Sequence, residues 1–453
     1  MIELLYTVGS FLVAISILIA FHEFGHYWVA KRLGVKVLRY SIGFGKPLWR
    51  KTAGPDKTEY VIAALPLGGY VKMLDEREGE VAEEEKHRAF NRQKIWKRFA
   101  IVFAGPAFNI LLAVLAYLLV ALMGTAGLKP VVALVDPGSP AAIAGLQPGM
   151  EIVSIDGWRT PTWDAVFQES LPQLVEKSKL HVAAKFKNGI EHDYTLDLSG
   201  LNLDKDIKQP FKALGIHLFN FPPLVGKVVP GKPASLAGLK AGDTITQIDS
   251  QPVSQWTDIS DYVVAHPDQD VEVTVKRHDE TLRFKIHTYA AEYQGRKIGQ
   301  LGIMRDTTFP KITDEDRAVY KLGLGEGIIY SVHRTWDVSY VTLRVLGLIA
   351  TTKMSLTNIS GPINIAVTAG ESASLGLDRY IIFLALVSVS LGILNLLPIP
   401  ILDGGHLMFY LYEFISGKPV SETVEAIGQR IGIALLMMLM ALAFYNDIMR
   451  YVH

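Results

Sequence analysis

Four apolar runs constrain this 453-residue chain more than any other feature. They lie at about Leu4–Phe21, Phe99–Met123, Tyr380–Leu402 and Ile431–Tyr445. Each approaches or reaches the roughly 20 residues that cross a bilayer core as a helix. Backbone amides find no water there, so the helix is the structure such a run must take. The first run has only Glu3 before it and no small-residue cleavage site after it. It is therefore expected to be a retained span rather than a signal peptide. Hydrophobic residues make up 49% and charged residues 20%, with a mean hydropathy of +0.24. That balance fits a membrane protein with a sizeable soluble part and excludes a disordered chain. Lys+Arg and Asp+Glu are both 45, so no global charge argues for nucleic acid as a partner. Cysteine is absent, which excludes disulfides and thiolate metal sites.

Positive charge orients the spans. Lys31, Arg32, Lys36 and Arg39 follow the first run, and Lys94, Lys97 and Arg98 precede the second. The loop between them is therefore expected in the cytoplasm. Both termini and the long segment between spans two and three are expected outside. A fifth candidate at about Leu324–Thr351 carries Glu326, His333, Arg334, Asp337 and Arg344. Those groups are costly in hydrocarbon, so this segment reads as an amphipathic helix on the outer surface.

The outer segment contains a repeat of 93 residues. Pro137-Gly138-Ser139-Pro140-Ala141-Ala142-Ile143-Ala144-Gly145-Leu146 aligns with Pro230-Gly231-Lys232-Pro233-Ala234-Ser235-Leu236-Ala237-Gly238-Leu239, and the match runs on to Trp163 and Trp256. The period is too long for a solenoid and indicates two copies of one small domain. In each copy a short helix, a Gly stop and a turn precede an alternating strand, Ile152–Ile155 or Ile245–Ile248. This resembles PDZ domains in their circularly permuted bacterial form. The resemblance implies binding of extended peptide beside a sheet edge, with a carboxylate loop at Leu214-Gly215-Ile216 or Leu301-Gly302-Ile303. Spacers or gates without peptide binding are the alternative.

His22-Glu23-Phe24-Gly25-His26 is an HExxH motif at the end of the first run. Residues i and i+4 share a helix face, so both imidazoles can reach one metal. Glu23 is then placed to take the proton of the attacking water as general base. Catalytic zinc uses three protein ligands, so one more is required. The third run ends in Asn395-Leu396-Leu397-Pro398-Ile399-Pro400-Ile401-Leu402-Asp403-Gly404-Gly405-His406. Asp403 is the leading candidate and His406 its rival; Asp403 as a mere helix cap is the bland alternative. Pro398 and Pro400 interrupt the helix and free backbone groups, which suits a wet cavity. Gly105-Pro106-x-x-Asn109 in the second run reads mainly as helix packing, with a role at the site as the alternative.

HExxH in a first span, the Asn395–Asp403 motif in a later span and a tandem PDZ-like insert together resemble the site-2 protease family. The likeness covers about Met1 to Asp447. It implies an α-helical polytopic membrane protein with four transmembrane helices and two tandem PDZ-like β domains inserted between spans two and three. It implies an intramembrane zinc endopeptidase with His22, His26 and Asp403 as Zn2+ ligands and Glu23 as base. Asn395 matches the family Asn that contacts substrate. The segment Glu59–Met73 reads as two apolar strand-like runs around a Pro66-Leu67-Gly68-Gly69 turn, which in the family is a membrane-reentrant β-loop. Gly68, Gly69 and Tyr70 are then expected to contact a substrate unwound into a strand. An ordinary cytoplasmic hairpin is the alternative.

The resulting organisation is as follows. Residues 1–30 form the first span, 31–98 a cytoplasmic loop with the hairpin, and 99–124 the second span. Residues 126–218 and 219–306 are the PDZ-like domains, and 311–352 the amphipathic region. Residues 378–403 are the third span, 404–429 a cytoplasmic loop and 430–447 the fourth span. The family implies the bacterial inner membrane, with the active site near the cytoplasmic face. It implies a single-pass substrate of anti-sigma-factor type in an envelope stress response, and remnant signal peptides. The PDZ-like pair would exclude substrates whose outer domain is still bulky, and could take peptide or protein ligands. A membrane adaptor with no working metal site and a metal transporter are the rivals. Neither explains the HExxH glutamate, and a transporter has no evident use for the tandem insert.

Overall fold

The computed structural model describes residues 2–187, 189–202, 209–293 and 296–452. The chain divides into two compact units, Met1–Thr125 with Tyr320–Met449 and Ala126–Val319 with Arg450–His453.

The first unit is built on helices α1 (Ile2–Arg32) and α2 (Ile95–Met123). After the insert come α3 (Leu324–Ala350), α4 (Pro362–Leu375), α5 (Leu377–Asn395), α6 (Asp403–Ser416) and α7 (Glu422–Val452). Four segments among the described residues are long and apolar enough to cross a membrane: Leu4–Arg32, Ile95–Met123, Leu377–Asn395 and Thr423–Arg450. Lipid supplies no hydrophobic drive between such helices, so small residues must let them close on one another. At the α1–α2 crossing a methyl on Gly25 would lie 2.4 Å from the Ala104 carbonyl oxygen. Ala113, Ala116 and Tyr117 of α2 pack on Ala385, Val389 and Ile393 of α5 and Val338 of α3.

Strands β1 (Val37–Ala53) and β2 (Thr58–Met73) form one long antiparallel hairpin. Its reversal is at Gly54-Pro55-Asp56-Lys57, not at the expected Pro66–Gly69 turn. The Gly-Pro-Asp chemistry there suits a tight turn; β1 mixes Lys46, Arg50 and Lys51 with apolar residues, and that hid its pairing. The hairpin also folds back at its middle. Arg39–Ile42 pairs with Gly69–Lys72 on one side and with Glu59–Ile62 on the other. Gly69–Met73 is thus an edge, and no strand among the described residues covers its outer side.

Two further departures from the sequence reading have identifiable causes. The third span stops at Asn395, where Pro398 and Pro400 deny helix continuation, and Asp403 opens α6 inside the stretch expected as a loop. α4 was not expected: Gly361-Pro362 reads as a turn but is a helix start, with Pro at the first position. Asp447 of α7 accepts the backbone N–H groups of Gly361 and Asn364, each at 2.9 Å. That cap comes from 83 or more residues away, so local pattern cannot reveal it. α3 buries Gly327, Ser331, Thr335 and Val338 and exposes Ile329, Val332 and Trp336. A polar face inward and an apolar face outward suits an apolar surrounding.

The second unit holds the repeat. Helices Pro140–Ala144 and Pro233–Ala237 each end at a left-handed glycine, Gly145 and Gly238. Strands Glu151–Ile155 and Thr244–Ile248, then helices Trp163–Glu176 and Trp256–Ala265, keep the 93-residue spacing. Both copies form a four-stranded sheet of one strand order, and each has its own apolar core, around Ile152 and Ile155 or Ile245 and Ile248. The chain is therefore a four-span helical membrane protein with two tandem PDZ-like domains between spans two and three.

Replacing Asp447 with Ala leaves two amide donors at the start of α4 without acceptors. A buried unsatisfied donor costs about 1–3 kcal/mol. Hydrogen exchange in detergent should show faster exchange at residues 361–366 in the variant; unchanged protection would show that Asp447 does not hold this helix.

Candidate metal and catalytic site

α1 carries His22 and His26 one turn apart on the face that meets α2, both about nine-tenths buried. The helix runs on for six residues beyond His26 and ends on Lys31 and Arg32, which suit its C-terminal dipole. The Arg32 guanidinium lies 4.9 Å from the Trp28 ring. His26 Nδ1 is 2.8 Å from the Ile101 carbonyl oxygen, a contact that takes an N–H and leaves Nε2 free to ligate. His22 Nδ1 lies 3.1 Å from the Asn109 side chain.

Asp403 joins them from the first turn of α6. Leu402 occupies the N-cap position, so the Asp403 carboxylate does not cap the helix. The turn ahead of it is tight. A methyl on Gly404 would lie 2.2 Å from the Leu397 carbonyl oxygen, and one on Gly405 2.4 Å from that of Ile399. Only glycines let the chain reverse so closely and aim Asp403 back at α1.

Three ligand atoms converge. The two Nε2 atoms are 3.2 Å apart, and Asp403 Oδ2 lies 3.1 Å from His22 Nε2 and 3.6 Å from His26 Nε2. Ligands about 2.0–2.2 Å from a tetrahedral zinc sit roughly 3.2–3.6 Å from one another. Asp403 Oδ2 is buried with no hydrogen-bond donor of its own. Two imidazoles and a carboxylate are a zinc donor set, and they leave one position open for water or substrate. Space around them is reserved by Gly105 of α2, where a methyl would fall 2.3 Å from His26 Nε2 and 2.8 Å from His22 Cε1.

Glu23 lines the same cavity, which has a volume of about 660 Å³. So do Gly69 and Tyr70 of the hairpin edge. A methyl on Gly69 would lie 2.9 Å from Glu23 Cγ and 2.8 Å from the Ser41 carbonyl oxygen. Gly68 packs under the Phe44 ring, which stacks on Tyr70 with centroids 6.2 Å apart. Arg39 donates to the Tyr70 hydroxyl at 3.0 Å. Beyond the ligands the cavity opens past Asp75, Arg77, Arg98 and Glu413. Arg98 donates to Glu413 at 2.6 Å and lies over the Tyr410 ring at 5.0 Å. Burial pushes the Tyr410 phenol up to about 12, so it stays neutral beside that cation.

The residues singled out from sequence do not all meet here. His406 lines the cavity but packs edge-on to Phe409, outside the three-ligand group. Asn395 ends α5, half-buried, and is not among the residues lining the cavity. Sequence reasoning gave Gly105 and Asn109 too little weight. Their signal was present: they lie four residues apart on one face, and a buried amide in an apolar span needs a partner.

A Gly105→Ala variant tests the geometry. Alanine favours the helix by about 1 kcal/mol over glycine, so the helix gains while the methyl intrudes on the ligand atoms. Metal analysis of the purified variant should find zinc reduced at least tenfold with helical content kept. Full zinc occupancy would contradict the placement of α2 against the histidines.

The chain matches Peptidase family M50 over residues 10–439. It is 42% identical to the Regulator of sigma-E protease RseP of Escherichia coli over 99% of this chain and all of that protein. It is 39% identical to a putative zinc metalloprotease of Vibrio cholerae, over 99% and 100%. It is 40% identical to another from Neisseria meningitidis, over 98% and 99%. Among solved structures, the PDZ domain of an SdrC-like protein from Listeria monocytogenes covers 20% of this chain and 92% of its own length, at 24% identity and a TM-score of 0.17. A family match over nearly the whole chain and a donor set suited to zinc lead to one conclusion: this is a zinc metalloprotease belonging to Peptidase family M50.

Proposed function

We propose that this protease cuts the membrane-spanning segments of single-pass membrane proteins. The observation that carries the reading is that Glu23, the three ligand atoms and an open strand edge line one cavity among helices apolar enough to span a membrane. His22, His26 and Asp403 hold the metal. Bound there, zinc supplies Lewis acidity toward water and toward a peptide carbonyl. Glu23 takes the proton of the attacking water and passes it to the leaving nitrogen. Its closeness to Gly69 keeps the carboxylate beside the place a substrate backbone would occupy.

A helix hides its carbonyls, so a transmembrane substrate must unwind locally before it can be cut. Gly69–Met73 offers unpaired backbone groups for that purpose, and an added strand would lie along the cavity wall. Gly68 and Tyr70 shape that edge, Gly68 by admitting the Phe44 ring and Tyr70 by its bond from Arg39. Asn395 contacts substrate backbone, a role supported by its place in the Asn395–Asp403 motif.

The relatives named regulators of sigma-E protease support a role in that envelope stress pathway. The substrate is then an anti-sigma factor already trimmed on its outer side, and remnant signal peptides are a second class. The Lys and Arg clusters flanking the first two spans support a cytoplasmic loop 31–98 in a bacterial inner membrane, with both termini and the tandem domains on the periplasmic side. The active site then lies near the cytoplasmic face. The first PDZ-like copy takes extended peptide ends. A groove of about 420 Å³ is lined by Phe167, Phe211, Ile216 and Leu218 of that copy, and also by Phe221, Gln255 and Thr257 of the second.

Cleavage of a model single-pass substrate without an outer domain, in detergent, tests the reading. Glu23→Gln should lower the rate by at least about 100-fold, and a zinc chelator should abolish it reversibly. Cleavage unaffected by both would remove the metal and the base from the mechanism. Gly69→Val should lower cleavage at least tenfold while zinc stays bound; a normal rate would exclude the hairpin edge from substrate handling.

A further inference from the structure

We infer that Asn109 is a positioning residue for the metal site: its side-chain carbonyl accepts the Nδ1–H of His22 and so turns the Nε2 lone pair of that ring toward the ion. The inference rests on the ligand set proposed above and adds a residue to its support.

Asn109 is fully buried in α2, an otherwise apolar helix. An amide in such surroundings costs several kcal/mol unless it is bonded, on the order of 2–7 by transfer measures. Its side chain reaches one polar neighbour, His22 Nδ1, at 3.1 Å. The two histidines face the same chemical requirement. A ring that ligates through Nε2 carries its proton on Nδ1, and that proton needs an acceptor. For His26 the acceptor is the Ile101 carbonyl. For His22, Asn109 is the group in place.

The amide can meet that need with little movement. Nδ2 faces the ring, while Oδ1 is buried without a partner. A half-turn about the Cβ–Cγ bond exchanges the two atoms at nearly the same positions. Oδ1 then receives the Nδ1–H, whereas Nδ2 opposite an Nδ1–H would set two donors against each other. The backbone behind the amide is anchored. Ser388 of α5 donates to the Asn109 carbonyl oxygen at 2.7 Å, and Gly392, one turn on, comes close enough that a methyl there would touch Asn109 Cβ at 3.4 Å. Those contacts hold the α2 backbone against α5, while the side-chain amide faces His22.

The test is zinc affinity in detergent, by competition with a chromophoric chelator, for the wild type and for Asn109→Leu, Asn109→Asp, Ser388→Ala and His26→Ala. The visible spectrum of each cobalt-substituted protein is a second readout. Asn109→Leu keeps the volume and loses the acceptor, so zinc should bind 10–100-fold more weakly, the usual loss for a group that orients a ligand, and the cobalt bands should shift. Asn109→Asp keeps an acceptor and should bind zinc within a few-fold of wild type with unshifted bands. This arm separates an acceptor role from simple packing, and it stands if the Leu variant does not fold. Wild-type affinity and spectrum in Asn109→Leu would overturn the inference, as would an Asn109→Asp variant as weak as the Leu variant. Ser388→Ala, which leaves the amide intact, should bind zinc within a few-fold of wild type; a loss matching that of Asn109→Leu would assign the effect to helix packing. Full zinc binding by His26→Ala would instead bring down the ligand set itself, and this inference with it.

Discussion

Two imidazoles and a carboxylate brought within 3.1–3.6 Å of one another, among helices with apolar outer faces, are the interaction on which the rest of this structure depends. Ionisable groups at membrane depth are tolerated only when paired, hydrated or bound to metal. Here each candidate ligand comes with its own device. α1 supplies the one-turn spacing, Ile101 and Asn109 hold the far ring nitrogens, and Pro400 with Gly404 and Gly405 turns Asp403 back toward the histidines. Gly25 and Gly105 bring α2 close enough for this and leave no room for any other residue. Much of what looks like helix packing is therefore the shape of the metal site seen from behind.

The same constraint explains why a soluble-style hairpin sits beside the histidines. A protease must read an extended chain, and the membrane delivers a helix. The fold keeps a strand edge at the cavity wall and leaves its outer side unpaired. An open edge is an aggregation hazard in water. Here its exposed neighbours Phe44, Leu48, Trp49 and Leu65 give the hairpin an apolar surface suited to lipid. The insert solves a separate problem. Its two copies carry independent cores and a shared topology, so the domain could be duplicated without touching the helices that hold the site.

Much of this was legible in the residue order because it is written in local spacing. The spans are runs of apolar residues, the histidines are four apart, and the repeat keeps 93 residues between its landmarks through Trp163 and Trp256. What escaped depends on partners distant in sequence. α4 begins where Asp447 caps it, and the hairpin reverses at Gly54–Lys57 because β1 pairs along β2 from Ala53 and Thr58 onward. Asp403 opens a helix rather than closing one, since Pro398 and Pro400 end α5 early and the glycines pack on the turn they leave. Asn109 was visible as an amide in an apolar run, yet the ring it faces lies 87 residues away in sequence.

The central claim is that His22, His26 and Asp403 hold zinc while Glu23 works on the water without holding the metal. Zinc per chain, measured on purified Asp403→Ala and Glu23→Gln side by side, tests it most directly. The account predicts near-stoichiometric zinc in Glu23→Gln and a large loss in Asp403→Ala. Equal retention in both variants would contradict Asp403 as a ligand, and equal loss would contradict the separate role of Glu23.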